Sequence, residues 1–366
     1  MRSSIRLSRF PLIFFLACFA AADLSANQAG GPETWDTATL YQRACAACHG
    51  ADGSGISPEH PNYATFKRPP ADFTDPLFNS REPAADWFLV IKYGGPKIGL
   101  SQQMPAYEQA LSDERIDELV TYLKTLADAA RFPPGDLNFL RPIATIKAFP
   151  EDEALILNRY TRNSEDAPDV LRTTLYYARR FGARYQGEIK LDHLNQQGGP
   201  DSLGVLELGL KWAVRDNLRR QAIYTLGIEV AIPIEDSEAP DIVIPYFSFA
   251  KGISESVTFQ GTLKSRLPTS GASDGEVELA GVFHWLSSPW PRSVSPALEF
   301  TVTEPFTSDR STRSTVIPQL YAGLSKGGHV ALAVGVEVPL TDLPYDYRIR
   351  TFLLWDIADG PFWVGW

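Results

Sequence analysis

The sequence contains few of the residues that carry most metal and redox chemistry in proteins. Its 366 residues include three cysteines, two methionines and five histidines. It also lacks a block of basic residues, and its net charge of −10 argues against nucleic acid as a partner. Because the sequence has so few residues that could bind a metal or take part in redox chemistry, each cysteine, histidine and methionine can be considered individually.

The apolar run near the N-terminus is too short to cross a membrane as a helix. It extends from Phe10 to Ala22, after a segment that contains three arginines, and small residues follow it. This order is typical of a secretory signal peptide, which we assign to residues 1–26, with cleavage after Ala22 or Ala26. Cys18 would be removed with it. Export predicts that the mature chain resides in an oxidising compartment.

The remaining two cysteines, Cys45 and Cys48, are three residues apart, and His49 follows directly. In an oxidising compartment they could form a disulfide or hold a haem. Residues i and i+3 share one face of a helix, so both thiols can reach one porphyrin, while the histidine lies beneath the ring and offers a nitrogen to iron. The histidine therefore favours covalent attachment of a c-type haem.

Met104 is the only internal methionine and is the first candidate for a second iron ligand. It lies in a loop before a helix that Ser112 can cap. Two alternatives stay open: the methionine fills the core, or His60 is the ligand instead. The extended segment with Pro69 and Pro70 is predicted to pack against one edge of the haem.

Residues 35–130 resemble a monohaem class I cytochrome c, which is a small all-α domain. The resemblance lies in Cys45–Gly50, Arg68–Pro70, Met104–Ala106 and the helix around Tyr122 and Leu123. It implies one covalent haem c, with thioether bonds to Cys45 and Cys48. It also implies that His49 is the proximal iron ligand and Met104 the distal one, a pair that raises the reduction potential.

Residues 131–153 form a proline-rich linker. Pro133, Pro134 and Gly135 cannot continue a helix, and the linker is predicted to be a semi-rigid junction between two domains.

From residue 154 to 366 the apolar residues recur with a period of two. The clearest runs are Leu206–Val214, Tyr224–Ile234 and Leu332–Leu340. In a soluble sandwich the apolar face is the core, whereas in an outer-membrane barrel it meets lipid. About twelve runs of about nine to eleven residues favour the barrel. So do the aromatic residues near their ends, namely Tyr176, Tyr177, Trp285, Trp290, Trp355, Trp363 and Trp366.

We therefore predict a multidomain protein, with an all-α cytochrome domain followed by an all-β antiparallel meander that forms a roughly 12-stranded barrel. The second part resembles outer-membrane barrels of the phenol-degradation transporter type, in Pro245–Gly252, Ala333–Leu340 and Leu354–Asp356. The order of the two parts is similar to that of fused cytochrome-porins. These resemblances imply a location at the outer membrane.

No further catalytic arrangement stands out, so we expect an electron carrier rather than an enzyme. Three histidines are predicted to lie on strand surfaces or loops: His193, His284 and His329. For Glu207, Glu229 and Glu337 two interpretations stay open, a position on the lumen wall or one on a solvated polar face.

The cytochrome domain is predicted to be wider than the lumen and to cap the periplasmic mouth of the barrel. Redox proteins, a reduced small molecule or a metal ion would be its partners. The alternative is a soluble periplasmic cytochrome whose β-domain binds a partner protein or a small molecule.

Overall fold

The computed structural model describes residues 31–67, 69–164, 167–235, 239–270, 274–307 and 311–357. The predicted signal peptide, Arg68, Trp363 and Trp366 lie outside these ranges. The described residues form a helical part followed by a closed barrel of twelve antiparallel strands, so the predicted fold class is confirmed. None of the helices in these ranges is long and apolar enough to span a bilayer.

The helical part is a small domain-like cluster. Asp36 caps the first helix by accepting a hydrogen bond from the backbone N–H of Thr39. Ser112 accepts one from Arg115, so the predicted cap of the last helix is confirmed. The fourth helix ends at Tyr93, and Gly94 is its C-cap. The helices are α1 Thr37–Ala44, α2 Ala46–His49, α3 Pro76–Arg81, α4 Ala84–Tyr93, α5 Gly95–Ile98 and α6 Asp113–Lys124.

One apolar core joins α1, α4 and α6. Apolar residues of α6 recur every three or four positions and therefore share one face, which is buried. Tyr41 and Trp87 add large side chains from the other two helices. The buried members of this first core are Leu40, Tyr41, Phe73, Trp87, Ile91, Leu111, Ile116, Leu119, Val120 and Leu123.

Each strand of the barrel pairs with its neighbours in the chain, and β1 pairs with β12 to close the sheet. Closure leaves no edge strand with free backbone groups. The strands are β1 Glu153–Asn163, β2 Val170–Phe181, β3 Tyr185–Gln196, β4 Ser202–Asn217, β5 Ala222–Pro233, β6 Ile242–Ser254, β7 Val257–Pro268, β8 Glu276–Trp285, β9 Val294–Pro305, β10 Arg313–Gly323, β11 Val330–Pro339 and β12 Tyr345–Asp356.

The barrel has an apolar exterior and a polar interior. In β4, Leu210 and Trp212 are 46% and 44% exposed, whereas Lys211 between them is only 2% exposed. Glu229 and Glu337 are likewise buried inside, which favours the lumen wall over a solvated polar face. A soluble sandwich would have the opposite arrangement, so the exterior is that of a barrel surrounded by lipid.

Aromatic side chains form a row on the exterior at the end of the barrel where β1 begins. Phe181, Tyr185 and Trp212 stack in sequence, with ring centroids 5.7 and 6.1 Å apart. Rings at this level are typical of a membrane interface. Two predicted members do not belong to the row: Tyr176 is buried inside the barrel, and Trp290 contacts the helical part.

The proline-rich linker runs into the lumen, which its sequence does not predict. We call residues 137–152 the plug. Leu137, Ala148 and Phe149 are at most 1% exposed. They pack against the inner wall of β4, β5 and β6, at Ala213, Ile223 and Ala250. Ile143 packs instead with Leu155 and Phe352 of β1 and β12, so the plug crosses the lumen.

Side chains of the barrel wall bind the backbone of the plug. The Glu299 carboxylate accepts hydrogen bonds from the backbone N–H groups of Ile143, Ala144 and Thr145, at 3.2, 3.0 and 2.5 Å. An extended segment has no backbone partners of its own, so this wall supplies the bonds that burial requires. Further bonds join Gln260 to Leu140, Thr262 and Ser248 to Ile146, Lys211 to Lys147, Thr225 to Ala148, and Gln186 to Glu151.

The prediction for one histidine was wrong. His284 lies on the inner face of β8 and is completely buried, rather than on a surface or loop. Its position follows from the register, which places it opposite Thr258 of β7, another inward residue. His193 is on β3 with an exposed side chain, and His329 lies between strands, as predicted.

A row of like charges crosses three strands above the plug. Arg159 of β1 lies directly opposite Arg350 of β12 and Arg172 of β2. Glu337 pairs with Arg350 and Asp192 with Arg172, but Arg159 forms no ion pair with any described residue. Like charges directly opposite each other destabilise a sheet.

We expect Arg159→Gln to raise the free energy of unfolding by about 1 kcal/mol, because two repulsive cross-strand pairs are removed. Urea titration in lipid vesicles measures this. Arg172→Gln is the matched control. It removes a repulsive pair but also removes the cation that pairs with Asp192, so it should not raise the free energy of unfolding. A lower stability of Arg159→Gln would contradict the prediction.

Candidate haem site

The two cysteines and the histidine lie on a single helical turn. The backbone N–H groups of Cys48 and His49 donate to the carbonyl oxygen of Cys45, at 3.1 and 3.0 Å. Both thiols are free; Cys48 is exposed and Cys45 is half-buried against the first core. Burial raises the pKa of the Cys45 thiol to about 11, and the nearby Cys48 adds to this. The turn presents both thiols together, as haem attachment requires.

His49 is fixed in one tautomer. Its Nδ1 lies 3.2 Å from the carbonyl oxygen of Ala71. A carbonyl can only accept, so Nδ1 carries the hydrogen and Nε2 has the lone pair that a metal needs. The ring stacks on Phe73 with centroids 4.7 Å apart. Burial lowers the pKa of His49, which favours the neutral imidazole.

A glycine loop brings the chain back against the histidine. The N–H of Gly55 donates to the carbonyl oxygen of His49 at 2.8 Å, and the N–H of Phe73 donates to that of Gly53 at 2.7 Å. Gly53 has φ +91°, and a Cβ there would lie 2.7 Å from Leu126 Cδ1. Glycine is required at this position for both reasons, as the glycine-rich sequence after the motif suggests.

Met104 lies against the same core as Cys45. Its carbonyl oxygen accepts a hydrogen bond from the N–H of Gly95 at 3.1 Å, and its own N–H donates to Ser101 at 3.3 Å. The loop then returns to α4, where the N–H of Tyr107 donates to Ile91 at 3.0 Å. The structure therefore brings the predicted second ligand to the same core as the cysteine motif, although the two are far apart in sequence.

Two tyrosines connect these parts. The Tyr107 hydroxyl donates to the carbonyl oxygen of Ala44 at 2.9 Å, which ties the methionine loop to the residue before Cys45. The Tyr41 hydroxyl donates to Gly50 at 2.6 Å, just after His49. Burial raises the pKa of Tyr107 to about 12, so its hydroxyl remains a donor at neutral pH.

The other predicted site residues are less closely associated with the motif. Pro69 is exposed, and the carbonyl oxygen of Pro70 lies against Gly55 in the glycine loop. His60 is also exposed, and its Nδ1 accepts a hydrogen bond from the backbone N–H of Asn62 at 3.2 Å. Pro70 therefore contacts the glycine loop, and Met104 is better placed than His60 as a second ligand, because it packs against the same core as Cys45.

Sequence reasoning missed Ala71 and Phe73. Ala71 acts through its carbonyl oxygen, which any residue has, so its identity contains no signal. Phe73 follows the two prolines in the same extended segment, and its aromatic ring was the available signal.

The residues present fit a c-type haem. Two free thiols share one helical turn, a neutral imidazole is oriented by a backbone carbonyl, and a thioether packs against the same core. The orientation of the histidine is the usual arrangement for an imidazole that binds a metal.

Residues 33–123 match the family model of the cytochrome c oxidase, cbb3-type, subunit III. This range includes the cysteine motif and Met104. None of the curated proteins matches the chain.

Several solved barrels are similar to this chain at low identity and low TM-score. The NanC porin is 8% identical with a TM-score of 0.44, and covers 55% of this chain and 98% of its own. The KdgM porin is 10% identical with a TM-score of 0.40, and the match covers 56% of this chain and 98% of the porin. An outer membrane channel from Pseudomonas putida F1 is 12% identical with a TM-score of 0.42, and covers 61% and 98%. At these scores the similarities carry no functional information. The chain thus combines a region that matches a cytochrome family model, residues 33–123, with a 12-stranded β-barrel that follows it.

Proposed function

We propose that this protein is an electron carrier with one covalent haem c, anchored in the outer membrane by its barrel. Residues 1–26 direct export, residues 35–130 form the cytochrome domain, residues 131–153 link it to the barrel, and residues 154–366 form the barrel. The observation that carries the proposal is the contact of His49 with Ala71, which orients the imidazole beside two free thiols.

A bound haem would supply one-electron transfer. Cys45 and Cys48 would hold it through thioether bonds, while His49 would offer a nitrogen and Met104 a sulfur to the iron. The Ala71 carbonyl keeps the proton on Nδ1 of the histidine. Phe73 and the glycine loop exclude water from that side, because they pack directly against the ring and its backbone.

The helical part lies at one end of the barrel. Arg184 in the turn between β2 and β3 donates to the carbonyl oxygen of Arg131 at 2.8 Å, and Trp290 in the turn between β8 and β9 packs on Tyr93. β1 begins and β12 ends at this same end. In outer-membrane barrels this end faces the periplasm. We therefore place the cytochrome domain there, with redox proteins, a reduced small molecule or a metal ion as partners.

The exterior of the barrel favours this proposal over a soluble periplasmic cytochrome. Large apolar side chains are exposed on the outer face of the strands, including Leu175, Leu210, Leu263, Leu279 and Leu320. A soluble protein rarely exposes so large an apolar surface. Carbonate extraction of membranes separates the two hypotheses, since a soluble cytochrome would be released and an integral barrel would be retained.

The ligand assignment is tested by Met104→Ala in protein expressed with the haem maturation system. We expect a lower midpoint potential and loss of the red absorption band of methionine-ligated ferric haem, because a thioether ligand raises the potential. His60→Ala is the matched control and should leave both unchanged. If His60→Ala changes the potential and the spectrum but Met104→Ala does not, the second ligand is His60.

A further inference from the structure

The barrel contacts the segment of the cytochrome domain that precedes Met104. Trp290, in the turn between β8 and β9, packs on Tyr93 at the end of α4, with ring centroids 4.9 Å apart and planes at 39°. The Lys97 ammonium group of α5 lies 6.0 Å from the centre of the same indole. One tryptophan of the barrel therefore contacts both α4 and α5.

A second turn of the barrel extends this contact. Lys326, between β10 and β11, packs against Gly99, where a Cβ would lie 3.3 Å from the lysine Cβ. Gly327 in the same turn approaches the carbonyl oxygen of Ile98, with 3.7 Å to a Cβ built on the glycine. Residues 93–99 are thus enclosed between the first core and two turns of the barrel.

The same segment positions the backbone of Met104. The N–H of Gly95 donates to the methionine carbonyl oxygen, and the N–H of Met104 donates to Ser101. A Cβ at Gly95 would lie only 2.3 Å from the Ser101 carbonyl oxygen and 3.1 Å from Met104 Cβ. The methionine loop therefore rests directly on Gly95, so a shift of the segment moves the loop.

This dependence is strong because the loop has little regular structure of its own. Between Gly99 and Ser112 the chain forms neither helix nor strand. Segments with few regular backbone hydrogen bonds unfold locally at a low free-energy cost. Their position is therefore determined by the surfaces that they contact. Here one such surface belongs to the barrel.

We propose that Trp290 is a positioning residue for the distal ligand: by packing on Tyr93 it fixes the α4–α5 junction at Gly94 and Gly95, and thereby holds Met104 in place. The barrel would then tune the potential of the cytochrome as well as anchor it. This inference rests on the proposed assignment of Met104 as an iron ligand.

The test compares Trp290→Ala with the wild type in full-length holoprotein purified in detergent. We expect a midpoint potential shifted in the same direction as in Met104→Ala but by less, and a weaker red absorption band. Faster hydrogen exchange at residues 93–104 should accompany both changes. Trp290→Phe keeps a ring against Tyr93 and should restore all three readouts.

Trp285→Ala is the matched control, because Trp285 is exposed on the exterior of β8 and lies close to the same turn. It should behave as the wild type. If Met104→Ala changes the spectrum and potential but Trp290→Ala changes neither, the inference is wrong and the ligand assignment stands. If Met104→Ala changes nothing, the ligand assignment itself is wrong.

Discussion

Replacing Cys45 and Cys48 together by serine should yield a protein without covalently bound haem. In the proposed site each thiol forms one thioether bond, and the exposed Cys48 and half-buried Cys45 are the only cysteines among the described residues. A serine hydroxyl is a far weaker nucleophile than a thiolate and does not form this bond. His49 and Met104 remain, but coordination alone does not survive denaturation.

The measurement is haem staining of the denatured protein after electrophoresis, together with the pyridine haemochrome spectrum. Ala47→Ser is the matched control, because it places a hydroxyl on the same exposed helical turn without removing a thiol. The control should stain as strongly as the wild type. Undiminished staining of the double variant would disprove the attachment site.

Glu299→Ala should convert a closed barrel into one that conducts ions. The carboxylate accepts three consecutive backbone N–H groups of the plug, and Gln319 also donates to it at 3.1 Å. A buried donor left without an acceptor costs about 1–3 kcal/mol. Removing the Glu299 carboxylate leaves three backbone N–H groups without an acceptor. The free energy that holds the plug in the lumen therefore falls by about 1–3 kcal/mol for each of them.

Planar bilayer recordings measure the effect. The wild type should show little steady conductance, because the plug crosses the lumen between opposite walls. Glu278→Gln is the matched control: Glu278 also lines the lumen but pairs with Lys264 at 2.8 Å rather than with the plug. Equal steady conductance in the wild type and Glu299→Ala would show that the plug does not close the barrel.

Much of the fold can be predicted from the sequence because its signals are local. Two cysteines and a histidine predict an attachment turn, and the period of two in Leu206–Val214 predicts a strand that the structure contains. The direction of the apolar face cannot be read from alternation, because a sandwich and a membrane barrel produce the same pattern. Only the closed sheet, with Lys211 inside and Trp212 outside, decides between them.

The plug could not be predicted, because its partners are remote in the chain. Glu299 lies about 155 residues from the backbone groups it binds, and a proline-rich stretch also fits an ordinary linker. The side of the barrel wall on which a single aromatic residue lies is equally hard to predict from the sequence. Tyr176 and Tyr177 are adjacent, yet one donates to Glu188 inside the barrel and the other faces outward.

The two ends of the plug emerge at the same mouth of the barrel. Asp136 accepts a hydrogen bond from the N–H of Ala84 in the cytochrome domain at 3.0 Å, and Asp152 accepts one from Arg180 at the end of β2. The plug is therefore an inserted loop and not a threaded chain. It can leave the lumen through the mouth at which both of its ends lie. Its hydrogen bonds to wall side chains are then replaced by hydrogen bonds to water, no strand of the barrel separates from its neighbour, and no folded domain passes through the pore.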